Sequence, residues 1–276
     1  MAVDVEYRSD VAAILARRND NGADLWATPD RRLAKGGPFS TLGAARLLVE
    51  LGEDPAGPVL SATAELIWAA WRDDGRFRLA PEGAIYPCQT AHAACTLAHL
   101  GQAGDPRLRR TLGHLLSTQH TDCGWRCNKF SYGHGPETEF SNPGPTLIAL
   151  DACRFTELAI NNDKLDRAVE FLLSHWVSRA PLGPCHYGIG TLFMQVSYPL
   201  TDYNLFSWVQ VLSHYERARS DPRFLEAVAC LEARLVNGQV VPERVNRALA
   251  GLQFCKKGAP STLATRRYRE MAARLQ

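Results

Sequence analysis

The sequence lacks an apolar run that could cross a bilayer, because no stretch reaches the roughly 18 uncharged residues that a membrane span requires. It also lacks an excess of charge of one sign, since 31 Lys and Arg face 29 Asp and Glu. This balance provides no basic surface for nucleic acid, so we expect no nucleic-acid partner. The N-terminus is acidic and has no apolar segment, so we expect no signal peptide and a cytoplasmic protein.

Compact metal-binding motifs of the Cys-x-x-Cys kind are missing as well, although the chain has eight cysteines. In a protein without an export signal, we expect these thiols to stay reduced. Three of them fall within helical patterns and are interpreted as core residues: Cys95, Cys153 and Cys230. Four fall among turn residues, where packing explains less: Cys88, Cys123, Cys127 and Cys185.

What the sequence does contain is a repeated helical pattern over residues 40–240. Segments rich in small apolar residues begin at four places: Thr41, Thr90, Thr146 and Asn204. A short turn and a second, amphipathic segment follow each of them. Two of these turns place Asp before Pro, at Asp105 and Asp221, which is a strong helix-start signal. The pattern predicts four units, each with an inner helix, a turn, an outer helix and a long return.

The repeat predicts an all-α fold, in which residues 1–276 form a single α/α-toroid domain of about five or six helical hairpins. Capping helices are expected at about 6–18, near 243–252 and near 261–274, which makes eleven helices in all. No segment has the alternation of a β-strand. A closed ring is favoured over an open solenoid, because the inner segments are apolar and present no long charged concave face.

Segment 119–125, QHTDCGW, resembles the QxxDGGW signature of the terpenoid cyclase and protein prenyltransferase superfamily, whose members carry the prenyltransferase and squalene oxidase repeat. Cys123 stands where the signature has its first glycine, and segment 71–77, WRDDGRF, is a degenerate copy. The resemblance implies an α/α barrel whose central cavity holds an isoprenoid or similarly apolar chain. It also implies zinc ligands, namely an Asp-x-Cys pair at the start of an inner helix and a later His. Cys88 matches the Cys of that pair, while Tyr86 stands at the Asp position.

The topology predicts where the site lies. The long returns, at 73–88, 121–145 and 179–202, all lie on the same face of the ring, and the inner helices begin there. Long structured loops in a compact domain are more often functional than idle. The free N–H groups of those helix starts would suit an anion such as diphosphate. We therefore expect the site at the mouth formed by these loops.

Cysteine and histidine at this mouth suggest a tetrahedral zinc site, because thiolate sulfur and imidazole nitrogen are the ligands that zinc prefers. The predicted ligands are Cys88, Cys127, Cys185 and His186. A metal-free alternative is a cysteine nucleophile at a helix N-terminus, with His186 as its base. In a third interpretation these cysteines are ordinary buried thiols.

Other residues complete the candidate site. The catalytic candidates are Cys88, Glu137, Glu139, His186 and Asp202. The candidates for contact with substrate, by apolar or cation–π interaction, are His92, Tyr187, Tyr203 and Trp208. The Asp-x-Asp-Asp motif of class II terpene cyclases is missing, which disfavours cyclisation by protonation of an alkene.

Two functions remain open. The leading prediction is an enzyme of the terpenoid cyclase or prenyltransferase type, with zinc as its expected cofactor. It would transfer or cyclise an isoprenoid-like or other apolar substrate, with a thiol or peptide as the acceptor in a transfer. The alternative is a non-catalytic binding module for a peptide or protein partner, with a structural metal or none.

Overall fold

The structure, a computed structural model, describes residues 5–275. Twelve α-helices lie within that range: α1 Arg8–Ala16, α2 Thr41–Glu50, α3 Pro58–Trp68, α4 Pro87–His99, α5 Pro106–Ser117, α6 Pro143–Cys153, α7 Asp163–Ser178, α8 Thr191–Met194, α9 Leu205–Leu212, α10 Glu216–Arg219, α11 Pro222–Glu232 and α12 Thr262–Ala273. The predicted all-α class is confirmed. None of these helices is long and apolar enough to cross a membrane.

The predicted helix near 243–252 is wrong. Two short strands, β1 Ser197–Tyr198 and β2 Arg244–Val245, pair in parallel there, and only a 3-10 turn follows at Arg247–Leu249. The Asn246 side chain caps that turn by accepting the backbone N–H of Ala248 at 2.9 Å. Pairing with a distant segment therefore overrides the local helical pattern. The acidic start of the chain, on which the prediction about a leader rests, lies largely in residues 1–4, outside the described residues.

The four helices that start the predicted units pack side by side. α4 lies between α2 and α6, and α9 packs against α6. Each also packs against a more exposed helix, so that α2 pairs with α3, α4 with α5, α6 with α7, and α9 with α11. α6 is the most enclosed, since Ile148 is its only residue that is not fully buried. These four helices form the core of the molecule.

The outer helices begin where the sequence signals place them. Asp105 accepts the backbone N–H of Arg107 at 2.7 Å at the start of α5, and Asp221 accepts that of Arg223 at 2.9 Å at the start of α11. A cap of this kind stabilises a helix by about 1 kcal/mol. The caps fix where each outer helix starts and hence the length of the turn that precedes it.

The segment that resembles the superfamily signature ties a long return loop together. Asp122 accepts the backbone N–H and the hydroxyl of Ser141, both at 2.6 Å, which joins the two ends of loop 118–142. Trp125 is buried and donates its indole N–H to the carbonyl of Leu115 at 2.8 Å. Gln119 donates to Lys164 O at 2.7 Å, which links this loop to the next outer helix. These residues hold the loop in place and do not line the cavity described below.

Cys123 occupies the glycine position of that signature with φ of 70°, in the left-handed region. A side chain there costs about 1–2 kcal/mol, while glycine's extra freedom in the unfolded chain offsets about 0.5–1 kcal/mol. We therefore expect Cys123→Gly to raise the free energy of unfolding by about 0.5–1 kcal/mol. Urea titration measures this. Cys230→Gly, within α11, is the matched control and should lower stability by about 1 kcal/mol. A loss of stability in Cys123→Gly would contradict the argument.

Candidate functional site

A cavity of about 340 Å³ lies between the start of α4, one face of α2 and three long loops. Its polar wall residues are Ser40, Arg46, Cys88, Gln89, His92, Thr96, Cys127, Lys129, Cys185, Tyr187, Thr201, Asp202 and Asn246. Apolar wall is provided mainly by Leu42, Leu47, Leu79, Phe130, Pro145 and Pro199. The volume is within the range of pockets that bind small molecules.

Six residues that the sequence analysis singled out line this cavity: Cys88, His92, Cys127, Cys185, Tyr187 and Asp202. They come from α4 and from the loops at 118–142, 179–190 and 199–204. These six residues therefore lie around one cavity, as the sequence analysis expected.

Three thiols meet in the wall. The sulfur atoms of Cys88 and Cys127 are 3.0 Å apart and share a hydrogen bond. Cys185 donates its S–H to the carbonyl oxygen of Cys127 at 3.2 Å. These contacts join α4 to two separate loops. Cys88 and Cys127 are 39 positions apart in the sequence, and Cys127 and Cys185 are 58 apart.

The two nearest sulfurs differ in their ionisation. The hydrogen bond from Cys88, together with backbone N–H groups of Lys129 and Cys88, lowers the pKa of Cys127. The same hydrogen bond and burial raise the pKa of Cys88. The shared proton therefore stays on Cys88, and Cys127 is the sulfur that more readily becomes a thiolate. Only a thiolate acts as a strong nucleophile or as a zinc ligand.

The imidazole and the phenol on the wall stay neutral near pH 7. Desolvation by the protein around the cavity, with the charges of Arg46 and Lys129, lowers the pKa of His92 to about 4, although the residue is exposed. Burial raises the pKa of Tyr187. Tyr187 is fixed in place because its ring lies against Gly144, where an added Cβ would come within 2.5 Å of the ring. A neutral imidazole next to paired thiols can serve as a metal ligand or as a proton acceptor.

His186, Glu137 and Glu139 do not join the cavity wall. The backbone of His186 is left-handed, with φ of 58°, and its Nδ1 lies 4.0 Å from the Glu137 carboxylate. Glu137 accepts the backbone N–H groups of His134 and Gly135, and backbone N–H groups of its own loop lower its pKa. Glu139 is exposed. In this structure Glu137 orders its own loop rather than facing the thiols.

Tyr203 and Trp208 lie behind the wall. Tyr203 donates its hydroxyl to Nδ1 of the buried His175 at 2.8 Å, because Nε2 of that ring donates to Ala180 O at 2.9 Å. Trp208 is fully buried and packs against the rings of Trp176 and Phe224. Both belong to the packed core, and Tyr203 supports Tyr187 by an edge-on ring contact.

The inner-helix starts offer few free N–H groups to an anion. Ser40 caps α2 by accepting the N–H of Gly43, and Asn204 caps α9 by accepting that of Ser207. α4 begins with Pro87, and α6 has Pro143 and Pro145 in its first turn, and proline has no N–H. The expected diphosphate site at these helix starts therefore has little support from the geometry.

A second polar cluster, which the sequence analysis missed, is buried deeper between α2, α4 and α6. One oxygen of Asp151 accepts from Arg46 at 2.9 Å, from the Cys95 thiol at 3.0 Å, and lies 3.1 Å from Nε2 of His99. Its other oxygen accepts from Arg154 at 2.5 Å. Although burial opposes it, the charges of Arg154 and Arg46, together with the hydrogen bond to His99, hold the pKa of Asp151 well below its usual range. Cys95 is buried as expected, but it is part of this polar cluster rather than a purely apolar packing residue.

Cys95, His99 and Asp151 can hold a metal ion, because their ligand atoms all lie within 4.8 Å of one another. Burial and the charge of Arg46 lower the pKa of His99 to about 3, so its ring is neutral. A cation at this point would compete with Arg46 and Arg154, which already bind the carboxylate. The available sequence signal was the presence of ionisable residues within otherwise apolar inner helices.

Asp202 provides a pH-dependent contribution to stability. Desolvation by the surrounding wall raises its pKa to about 6, although the residue is exposed and the charges of Arg244 and Arg46 oppose the shift. The value in an unfolded chain is about 3.9. The folded protein binds this proton more tightly, so the stabilisation is present below about pH 4 and is lost as pH rises through 6. We expect Asp202→Asn to remove this component from a stability–pH curve measured by urea unfolding between pH 4 and 8. An unchanged curve would contradict the shifted pKa.

No protein-family model matches the chain, and a search of curated proteins gives no significant match. The resemblance to the terpenoid cyclase and prenyltransferase superfamily therefore stays a prediction from the repeat segments.

Proposed function

We propose that the protein is an enzyme of the terpenoid cyclase or prenyltransferase type, which binds an isoprenoid-like or other apolar substrate in the 340 Å³ cavity and acts on it at the thiol-lined wall. The observation that carries the proposal is the convergence of Cys88, Cys127 and Cys185, with His92, on one cavity. A nucleophile or a metal ligand is the usual reason to hold thiols beside a pocket.

The helix contacts support a closed α/α toroid as the framework of this site. α2, α4, α6 and α9 pack in chain order, and α12 packs against α9. Arg267 of α12 binds Glu50 of α2 with a nitrogen–oxygen distance of 3.0 Å, which brings the last helix back to the first of the series. In such a ring the cavity lies at one mouth, between the starts of the inner helices.

The wall supports a largely apolar substrate. Leucine, proline and aromatic side chains form much of it, and Phe130 lies where the wall reaches the surface. Burying apolar substrate surface there stabilises the complex by about 25 cal/mol per Å². The sulfurs at the start of α4 would then face one end of the bound chain.

Zinc is the proposed metal. Cys88, Cys127 and Cys185 supply sulfur, and His92 supplies nitrogen from the same cavity, whereas the predicted ligand His186 faces Glu137. Two sulfurs on one tetrahedral zinc lie about 3.8 Å apart, given Zn–S bonds of about 2.3 Å, so Cys88 and Cys127 would separate by less than about 1 Å. No three of these four ligand atoms lie within 4.8 Å of one another, so Cys185 and His92 would also have to move to reach the metal. A bound zinc would act as a Lewis acid and keep a sulfur as thiolate.

The metal proposal is tested by measuring zinc content in protein purified without a tag or chelator. We expect about one zinc per chain in the wild type and its loss in Cys127→Ser. If zinc is instead lost in Cys95→Ser and retained in Cys127→Ser, the metal belongs to the deeper cluster. Protein that is folded and metal-free would rule out zinc at both places.

Activity is tested by incubating the protein with geranyl or farnesyl diphosphate, with and without a small thiol, and detecting products by mass spectrometry. We expect Cys127→Ser to lower product formation by about a hundredfold or more, because it removes an atom of the reacting centre. Cys230→Ser, which alters a half-buried thiol on α11, is the matched control and should retain activity. Both variants should keep the wild-type thermal transition.

The alternative, a binding module for a peptide, has one supporting observation. Phe130 and Tyr132 are exposed and stack on each other at 5.4 Å on the loop that reaches the cavity. If the wild-type protein forms no product and binds no isoprenoid, the enzymatic proposal fails and this surface becomes the leading site.

A further inference from the structure

We propose that the inner end of the cavity binds the singly charged anionic end of an amphiphilic ligand, of which a carboxylate is the simplest example, through Arg46 and Thr96. The proposal rests on the proposed function, since it assumes that the cavity holds a small apolar chain. The proposal adds the chemical class of the ligand's polar end and the orientation of the ligand in the cavity.

Two buried polar atoms on the cavity wall point to this ligand. Within the described residues, neither Nε of Arg46 nor the hydroxyl oxygen of Thr96 has a hydrogen-bond partner. Both residues line the cavity, and Thr96 is only 1% exposed. A buried donor without a partner is costly, so such groups are normally satisfied by another group, by water or by a ligand. Each atom has almost no accessible surface, so a carboxylate would accept from both only after the side chains that cover them move.

Arg46 and Thr96 lie at a similar depth in the cavity, away from the sulfurs of Cys88 and Cys127. Nη1 of Arg46 donates to the sulfur of Cys95, the residue that precedes Thr96, at 3.3 Å. Cys88, His92 and Thr96 are spaced by four residues and share one face of α4. Thr96 lies about 12 Å further along the helix axis than Cys88, at 1.5 Å per residue. The wall therefore has a sulfur end and a guanidinium–hydroxyl end.

The charges favour an anion at the inner end. Asp151 is the carboxylate shared by Arg46 and Arg154. Glu50 also acts on Arg46 and binds Arg267, so two buried carboxylates face three guanidinium groups. An anionic ligand group would reduce this excess of positive charge. Asp202, also on the wall, has both Arg244 and Arg46 as neighbouring opposite charges.

A group with one charge fits better than a diphosphate. The only cationic side chains on the described wall are Arg46 and Lys129, and Arg46 already shares Asp151. A diphosphate normally needs several donors and cations around it. The apolar part of the ligand would extend past Leu42 and Leu47 toward the thiols.

The test is isothermal titration calorimetry with geranic acid, geraniol and geranyl diphosphate. These probes share one apolar chain and differ in their polar end. We expect geranic acid to bind roughly tenfold or more tightly than geraniol, since hydrogen bonds to charged groups are the stronger ones, and more tightly than geranyl diphosphate. Thr96→Val should weaken binding of the acid about fivefold or more and leave binding of the alcohol unchanged.

Thr96→Val also has an expected effect without ligand. It removes an unpartnered buried hydroxyl, so the free protein should be as stable as the wild type or more stable. Thr63→Val is the matched control: Thr63 is also buried in a helix, but its hydroxyl donates to Val59 O at 2.7 Å. That variant should lose stability and bind the acid normally. Because Arg46→Met risks misfolding, Thr96→Val is the deciding variant.

The outcomes separate this inference from the proposed function. Equal affinities for acid and alcohol, or an unchanged acid affinity in Thr96→Val, would overturn the inference while leaving the apolar cavity in place. Preferential binding of geranyl diphosphate would overturn the single-charge assignment. Failure of all three probes to bind would overturn the proposed function itself.

Discussion

Replacing Asp151 by Asn should lower the free energy of unfolding by about 3–5 kcal/mol. The side chain is almost the same size, so little packing is lost. Its charge is what binds Arg46 at 2.9 Å and Arg154 at 2.5 Å, and all three side chains are nearly buried. Removing one partner of a buried ionic cluster leaves the others uncompensated in a medium that solvates them poorly. Urea unfolding at pH 7 measures the loss.

Asp74→Asn provides the control for this experiment. Asp74 binds Arg76 at 2.6 Å, but both side chains are about 41% exposed, so the loss should be below about 1 kcal/mol. Wild type unfolded with and without a chelator supplies the second control. If the chelator alone reproduces the loss seen for Asp151→Asn, the carboxylate acts through a metal at Cys95, His99 and Asp151. A loss below about 1 kcal/mol in Asp151→Asn would refute the ionic argument.

Local signals predicted most of the long helices but not the short ones or the irregular connections. Asp105 and Asp221 cap outer helices at the predicted places, because a cap depends on residues within one turn. The segment 243–252 has helical periodicity, yet residues 244–245 pair with residues 197–198, which no local pattern reveals. Whether the helices close into a toroid stays a prediction for the same reason, since closure depends on contacts between distant segments.

Six of the predicted site residues line one cavity because their loops and the start of α4 meet there. Cys127 and Cys185 reach the start of α4 through loop 118–142 and the loop after α7. His186 was expected to join them, but neighbouring residues in a turn point in different directions, and the positive φ of His186 directs its ring toward Glu137. The position of a residue along a loop does not determine the direction in which its side chain points.

The deeper cluster was missed for a different reason. α4 contains two Cys-x-x-x-His pairs, Cys88 with His92 and Cys95 with His99, and spacing alone does not distinguish them. The two pairs differ in the residues that contact them from other helices. Asp151 of α6 contacts His99, and Arg46 of α2 donates to the sulfur of Cys95. Such contacts between helices far apart in the chain are set by tertiary packing, so they emerge only with the structure.

Mild peroxide should convert Cys88 and Cys127 into a disulfide before any other pair of thiols. Their sulfurs are 3.0 Å apart, and a bond of about 2.0 Å needs a movement of only about 1 Å. The two thiols give two electrons and two protons to the peroxide, which becomes two molecules of water. The wild type should fall from eight free thiols to six, with Cys88 and Cys127 linked in the peptide map. The bridge would join positions 39 apart and raise stability by about 3–4 kcal/mol in the chain-entropy account.

Single substitutions decide between the possible causes of that result. Cys88→Ser should keep its seven thiols under the same conditions, whereas Cys230→Ser should fall from seven to five, because Cys230 lies on α11 away from the pair. Zinc held by the three wall cysteines would protect them, and oxidation would then begin only after a chelator is added. Rapid oxidation of untreated wild type therefore indicates free paired thiols at the cavity, and chelator-dependent oxidation indicates that the same sulfurs hold a metal.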